Sequence, residues 1–311
     1  MAIAVQTVTG PVDPDALGFT LTAEHFFGNR RAQEVEDLRS AWPLVDDSVL
    51  DHEVARFMQL GGTCVVDTTP ACLGRNPTGL RALADRTGIR IVMATGWYTD
   101  STLPADDRIE ERTPNALAEL MVDEIVNGVG EPPVRPGVVG EFGATGAWLS
   151  PVEERIHRAS ARAHRQTGIP LSTHALGCDV GLAQLDLFEE EGVDLGKVAI
   201  GHCDSWPRLD YWTQIAVRGA FVQLDLLSFR SGPYEQRLVE LVAEMVQRGF
   251  AGKLLLSHDM SMAGEMTSFG GAGLTHVAER FLPLLSQAGI DDETLRRITS
   301  TNPAEFLAMP V

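Results

Sequence analysis

Eight short apolar runs alternate with amphipathic stretches along this 311-residue chain. Most of the runs are continuously apolar, which is typical of parallel strands that helices cover on the outside. The repeated alternation of strand and helix predicts a (β/α)8 barrel. The predicted strands are Phe19–Thr22, Cys64–Asp67, Ile91–Thr95, Val138–Glu141, Pro170–Thr173, Val198–Gly201, Phe221–Leu224 and Leu254–Ser257. The predicted helices are Ser48–Leu60, Pro151–Thr167, Asp179–Glu191, Leu209–Arg218, Tyr234–Arg248 and Thr275–Gln287.

The sequence predicts one domain over residues 1–311, because its one linker-like stretch, 127–137, is short and leads directly into a predicted strand. Its formal net charge of −18 disfavours nucleic acid and anionic membranes as partners. No secretory signal or membrane-length apolar run is visible, and the four cysteines form no metal-type pair. We therefore expect a soluble, cytoplasmic protein with reduced thiols that binds a small-molecule substrate, and a homodimer is compatible with the sequence.

Five residues of metal-ligand type stand at or just past the ends of predicted strands. They are His25, Glu141, His174, His202 and Asp259. The strand ends of a parallel barrel meet on one face, so we expect these side chains to converge there. Any one of them alone could be structural, but five at successive strand ends predict a metal site. Nitrogen and oxygen donors suit Zn²⁺, with Mn²⁺, Co²⁺ or Fe²⁺ as alternatives.

The remaining histidines are predicted to lie outside this cluster. His258 neighbours Asp259 and is expected to face the other side of its strand. The others lie on predicted helices, where we expect solvent-facing positions: His52, His157, His164 and His276.

The five residues also predict a chemistry. A bound metal lowers the pKa of a coordinated water from about 15.7 to roughly 7 and so provides a nucleophile at neutral pH. A carboxylate that touches both metal and water can take up the proton, and Asp259 at the last strand end is our candidate for that catalytic role.

Six segments, in chain order, carry a family resemblance. They are 18–25 (GFTLTAEH), 139–143 (VGEFG), 172–174 (STH), 200–202 (IGH), 256–259 (LSHD) and 300–307 (STNPAEFL). Together they resemble the phosphotriesterase family of the amidohydrolase superfamily, whose first signature is G-x-T-L-x-H-E-H. The resemblance covers nearly the whole chain and implies a binuclear metal hydrolase on a TIM barrel, with two zinc ions in the family pattern.

The resemblance also implies a division of the ligands. His25 and Asp259 would hold the more buried α ion together with residue 23, and Glu141 would bridge the two ions. The β ion would be held by the histidines of the fifth and sixth strands, His174 and His202.

The chain departs from the family pattern at two positions. Glu141 stands where the best-known members carry a carbamylated lysine, and Lys197 and Lys253 lie at strand starts, on the wrong face to substitute. Ala23 stands where the signature has a histidine, and Glu24 should point away from the metals. Three interpretations stay open: a mononuclear enzyme, a binuclear enzyme with a weakened α ion, or an engineered loss of a ligand.

Substrate contacts are expected from the loops that follow the strands. The predicted contacts are Trp97 and Tyr98 after the third strand, Arg230 after the seventh, and Met260 after the eighth. The methionine- and glycine-rich loop 260–273 could form a mobile lid. For all of these residues, ordinary packing or solvation is the alternative.

The glutamate bridge favours an ester, lactone or amide as the bond that is hydrolysed, with a phosphotriester as the alternative. This preference rests on analogy. A different class of function is a non-catalytic ligand-binding barrel, left after loss of the ligand at residue 23. Serine-hydrolase and dinucleotide motifs are not found in the sequence.

Overall fold

The computed structural model describes residues 2–28, 46–103, 108–229 and 231–311. Within these residues, eight parallel strands follow one another in sequential order around a nearly closed barrel. The strands are β3 (Phe19–Glu24), β4 (Gly62–Asp67), β5 (Arg90–Thr95), β6 (Val138–Gly143), β7 (Leu171–His174), β8 (Val198–Ile200), β9 (Phe221–Leu224) and β10 (Leu254–Leu256). The predicted (β/α)8 barrel is confirmed, and each predicted strand overlaps an observed one.

The helices lie between the strands and cover the outside of the barrel. They are α1 (Asp47–Gln59), α2 (Pro77–Thr87), α3 (Pro114–Asn127), α4 (Pro151–Thr167), α5 (Val180–Glu191), α6 (Leu209–Val217), α7 (Pro233–Gln247), α8 (Leu282–Gln287), α9 (Asp292–Arg296) and α10 (Asn302–Leu307). The prediction missed α2, α3 and α9. None of the helices in the described ranges is both long and apolar enough to cross a membrane.

The first and last barrel strands meet just beyond their regular ends. The Asp259 N–H donates to the Ala23 carbonyl at 3.0 Å, and the His25 N–H donates to the Met260 carbonyl at 3.0 Å. The chain therefore closes the barrel with residues of the predicted site itself.

A small antiparallel sheet at the opposite end of the barrel was not predicted. It consists of β1 (Ile3–Thr7), β2 (Gly10–Val12) and β11 (Met309–Pro310), in the order β11-β1-β2. Val5 packs with barrel-lining residues such as Val66 and with Phe306 of α10. At this end Lys197 Nζ donates to the carbonyls of Glu305 and Ala308, as expected for a lysine far from the predicted site.

The predicted helix Thr275–Gln287 is not regular. A 3₁₀ turn over Gly273–Thr275 leads into a π-helical turn over Val277–Phe281, and only Leu282–Gln287 is α-helical. Pro283 supplies no N–H to this segment, so a regular α-helical ladder cannot run through it.

The prediction that four helix histidines face solvent is wrong for three of them. The side chain of His276 is only 10% exposed. His157 and His164 on α4 are buried, because α4 packs against both α3 and α5. His157 Nδ1 lies 2.7 Å from the Glu153 carbonyl, and burial lowers its pKa to about 4. His164 Nδ1 lies 2.8 Å from the Ile169 carbonyl. These histidines are neutral core residues.

Candidate metal centre

The structure brings all five predicted ligands together at the C-terminal ends of the barrel strands. They form two groups of three that share Glu141, and the potential ligand atoms of each group lie within 4.8 Å of one another. We name Glu141, His174 and His202 the two-histidine group. We name His25, Glu141 and Asp259 the one-histidine group.

The two-histidine group is compact and buried. His174 Nδ1 lies 2.7 Å from Glu141 Oε1 and 2.7 Å from His202 Nε2. His202 Nε2 is 3.4 Å from the same Glu141 oxygen. The Tyr98 hydroxyl lies 3.0 Å from His174 Nδ1 and completes the surroundings of this nitrogen.

The one-histidine group is built around the Nε2 atom of His25. This atom lies 3.0 Å from Asp259 Oδ1 and 3.8 Å from Glu141 Oε2. The other ring nitrogen, Nδ1, lies 2.9 Å from the Thr69 hydroxyl. The side chain of Asp259 is 18% exposed, against 5% for Glu141 and 3% for His25, so it is the member that a substrate reaches most easily.

Carboxylates dominate the electrostatics of the cluster. Burial alone lowers the pKa of His25, but Asp259 and Glu141 outweigh that effect and raise the pKa to about 10. The same balance, with Asp225 and Glu141 as the carboxylates, raises the pKa of His202 well above its usual value. Burial favours the neutral form of Glu141, but His202 and His174 hold its pKa well below the usual range.

The donor set fits a divalent metal. Imidazole nitrogens and carboxylate oxygens of the cluster lie between 2.7 and 3.8 Å from one another. Protons or a cation must therefore lie between these acceptor atoms. Zn²⁺ takes this combination of nitrogen and oxygen donors. The residues that would hold it are the two-histidine and one-histidine groups, and their role as ligands stays a prediction.

Two of the potential ligands have left-handed backbones. His202 and Asp259 both have φ of 55°, a conformation that costs a non-glycine residue about 1–3 kcal/mol unless its surroundings impose it. At His202, Asp225 Oδ1 accepts hydrogen bonds from the backbone N–H at 2.9 Å and from the ring Nδ1 at 2.8 Å. A single buried carboxylate therefore fixes both the backbone and the ring of His202.

The sequence analysis missed Asp225 as a functional residue. It directly follows the seventh barrel strand, and that position could have marked it. A carboxylate that accepts the distal N–H of a ligating histidine orients the ring and raises its basicity.

Ala23 lies inside the closure of the barrel. It is 1% exposed, its N–H donates to the Ser257 hydroxyl at 2.9 Å, and its carbonyl accepts from Asp259. The methyl group offers no donor atom, so the one-histidine group has His25 as its single nitrogen ligand. The Glu24 carboxylate bonds the segment 257–260, and it is absent from both groups, as expected.

The predicted substrate contacts have different surroundings. Tyr98 lies at the cluster through its hydroxyl, whereas Trp97 is partly buried and packs against the hydrophobic core. Met260 is 1% exposed and belongs to that core, so the structure does not support the predicted substrate contact. Arg230 lies outside the described residues.

The loop 260–273 is tied to the barrel rather than open. Met266 is fully buried, and Glu265 accepts hydrogen bonds from the Ser261 and Met262 N–H groups. Buried Glu53 on α1 accepts a hydrogen bond from the Thr267 hydroxyl. This packing is the alternative to the predicted mobile lid.

The sequence profile of the phosphotriesterase family matches residues 3–307. The chain belongs to the phosphotriesterase family. It is similar to the phosphotriesterase homology protein of Escherichia coli, with 31% identity over 293 residues that cover 94% of this chain and 98% of the relative. A crystal structure of the E. coli protein, complexed with phosphate in its active site, superimposes with a TM-score of 0.88, covering 95% of this chain and 100% of the other at 30% identity.

Two further relatives carry the names of hydrolases. A lactonase from Listeria monocytogenes superimposes with a TM-score of 0.88 at 26% identity and covers 98% of both chains. An N-acetyltaurine hydrolase from Tetraodon nigroviridis is 26% identical over 351 residues, covering 97% of both chains. The family and these names support a hydrolase.

Proposed function

We propose that this chain is a metal-dependent hydrolase that acts on an ester, lactone or amide bond of a small, partly hydrophobic substrate. The observation that carries the proposal is the pair of three-donor groups that share Glu141 at the catalytic face of the barrel. Bound divalent ions, most consistent with zinc, would supply Lewis acidity and water of lowered pKa.

Asp259 is suited to accept the proton of the attacking water. Burial raises its pKa to about 6, because the His25 contact only partly offsets the cost of burying the charge. The carboxylate is therefore mostly ionised at neutral pH, as a proton acceptor must be. Its partial exposure also leaves it accessible from solvent.

Tyr98 is suited to orient the substrate. Its hydroxyl lies beside the two-histidine group, where it can donate a hydrogen bond to an oxygen of the bond that is cleaved. A neutral phenol at this position adds polarity to the site without adding negative charge.

An apolar rim supports a substrate with a hydrophobic portion. Exposed large apolar side chains occur on the loops that follow β6, β7, β9 and β10, at the same end of the barrel as the cluster. They are Trp148, Leu176, Phe229 and Phe269. Exposed apolar side chains on the loops at this end of a barrel can contact the apolar portion of a substrate.

A phosphoester is the second candidate substrate. The observation in its favour is the phosphate in the active site of the E. coli relative. The lactonase and N-acetyltaurine hydrolase names of two other relatives favour carboxylic esters, lactones and amides.

The test combines metal content with a substrate panel. The purified chain is stripped with a chelator, reloaded with Zn²⁺ or Mn²⁺, and assayed with lactones of increasing acyl length, N-acetylated amino sulfonates and amino acids, and a phosphotriester. We expect turnover of a lactone or amide that disappears on stripping and returns on reloading. A chain that holds no divalent ion and stays inactive after reloading would be a binding protein rather than a hydrolase.

A further inference from the structure

The carboxylate of Glu24 is surrounded by hydrogen-bond donors from a single distant segment. Glu24 is fully buried, and its Oε1 accepts from the Ser257 hydroxyl at 2.7 Å, the His258 N–H at 2.8 Å and His258 Nδ1 at 2.9 Å. Its Oε2 accepts from the Met260 N–H at 2.8 Å. All four donors come from residues 257–260.

These bonds bracket Asp259. The two backbone donors, His258 and Met260, are its immediate neighbours in the chain, and the Asp259 N–H itself is held by the Ala23 carbonyl. Three successive backbone N–H groups are therefore fixed by residues 23 and 24. This network imposes the left-handed φ of 55° that directs the Asp259 side chain to His25.

His258 connects this network to the backbone of Val277. Its Nε2 accepts a hydrogen bond from the Val277 N–H at 2.9 Å, so the proton of the neutral ring is on Nδ1 and is donated to Glu24. The imidazole is fully buried and cannot exchange these partners for water.

We propose that Glu24 is a positioning residue that holds Asp259 in its working orientation. The arrangement matches the other left-handed residue of the cluster, since His202 has its backbone N–H fixed by buried Asp225. The two carboxylates differ in one respect: Asp225 also bonds the ring of His202, whereas Glu24 acts on Asp259 only through the backbone. The inference rests on the proposed function, in which Asp259 is a metal ligand and proton acceptor.

The test is Glu24→Gln, which keeps the shape but replaces one accepting oxygen with an NH₂ group that faces N–H donors. Residues that orient a metal ligand typically contribute about 10- to 100-fold to metal affinity or activity. We expect kcat and the Zn²⁺ affinity of the stripped full-length chain, measured by calorimetric titration, each to fall about 10- to 100-fold. KM should change little, because the loss concerns Asp259 and not substrate binding.

The matched control is Glu53→Gln. Glu53 is also fully buried and holds the same loop through the Thr267 hydroxyl and the Ser268 N–H, but it makes no contact with Asp259. We expect this control to lose stability yet to keep its Zn²⁺ affinity and kcat. Equal losses of both quantities in the two variants would show a general loosening of the loop and overturn the proposal.

Hydrogen exchange separates this inference from the proposed function. In Glu24→Gln, the amides of residues 257–260 should exchange faster than in the parent chain, whether or not metal binds. A parent chain without Zn²⁺ affinity would overturn the proposed function, and unchanged exchange at 257–260 would overturn the positioning role. If Glu24→Gln does not fold, Ser257→Ala removes one donor to Glu24 together with the acceptor of the Ala23 N–H. Smaller changes in the same direction are expected, and their absence counts against the proposal.

Discussion

The two halves of the cluster share one carboxylate but are supported differently. The two-histidine group has two imidazoles, and the Nδ1 of His202 is backed by the carboxylate of Asp225. The one-histidine group has a single imidazole, and the Nδ1 of His25 is backed by the hydroxyl of Thr69. A carboxylate partner raises the basicity of a histidine ligand more than a hydroxyl does. We therefore expect the two-histidine group to hold the tighter ion.

The one-histidine group carries the accessible carboxylate instead. Asp259 is the most exposed member of the cluster, and its pKa of about 6 is close to neutrality. With alanine at position 23, this half gains no nitrogen from β3 beyond His25. Under the proposed function, one half would anchor the metal and the other would handle the proton.

The largest expected effect comes from removing the shared ligand. Glu141→Ala should abolish activity and reduce the metal content of both groups, because Glu141 is the one residue common to them. Metal analysis and turnover measure this. Retention of one full equivalent of metal would show that the halves are independent.

The next effect separates proton uptake by Asp259 from metal binding by the two-histidine group. Asp259→Asn should lower kcat by about 10²- to 10⁴-fold, because the amide cannot take up a proton. Circular dichroism should remain that of the parent chain, and the tightly bound ion should stay in the two-histidine group. Unaltered turnover would remove Asp259 from the mechanism.

A third, smaller effect compares the two backing groups. Asp225→Asn should weaken the tighter ion about 10- to 100-fold, and Thr69→Val, the matched variant on the other half, should leave that ion unaffected. Competition with a chromophoric chelator gives both affinities. A larger loss in Thr69→Val would reverse the assignment of the tighter half.

A histidine at position 23 should make the zinc affinities of the two groups more equal. Ala23→His should raise the zinc content from about one to about two per chain and increase activity, since four donors are typical of a stable zinc site. Crowding at this buried position should cost about 1–3 kcal/mol of stability in the metal-free chain. Unchanged stoichiometry and rate would mean that the protein works with the reduced set.

The smallest change is the one expected from a shift of a single pH unit. The pKa of His25 is raised to about 10, so at neutral pH its proton must leave before the ring can bind metal. The Zn²⁺ affinity should therefore rise with pH, by at most about tenfold per unit for each proton released, and level off near pH 10. Titrations at several pH values measure the slope. Affinity that falls with rising pH would exclude a protonated histidine in the metal-free site.

The sequence predicted the strands and the five clustered residues well for one physical reason. Parallel barrel strands are continuous apolar runs, and the cluster residues stand at or directly after them. The sequence could not predict the contacts that depend on which strands and helices pack together. Asp225 follows β9 and contacts His202, which follows the neighbouring strand β8. Glu24 contacts a segment near the other end of the chain. The burial of His157 depends on helices packed on either side of α4.

The closure of the barrel by residues 23–25 and 257–260 makes half of the candidate site depend on both ends of the chain. Glu24 and Met260 are 236 positions apart, so their contact requires nearly the whole polypeptide. Contacts of such long range carry a large loop-closure cost and are slow to form. The two-histidine group spans only residues 141–202 and leaves the ribosome earlier. The residues of the two-histidine group thus lie close together in the chain, whereas the one-histidine group is complete only once both ends of the protein have met.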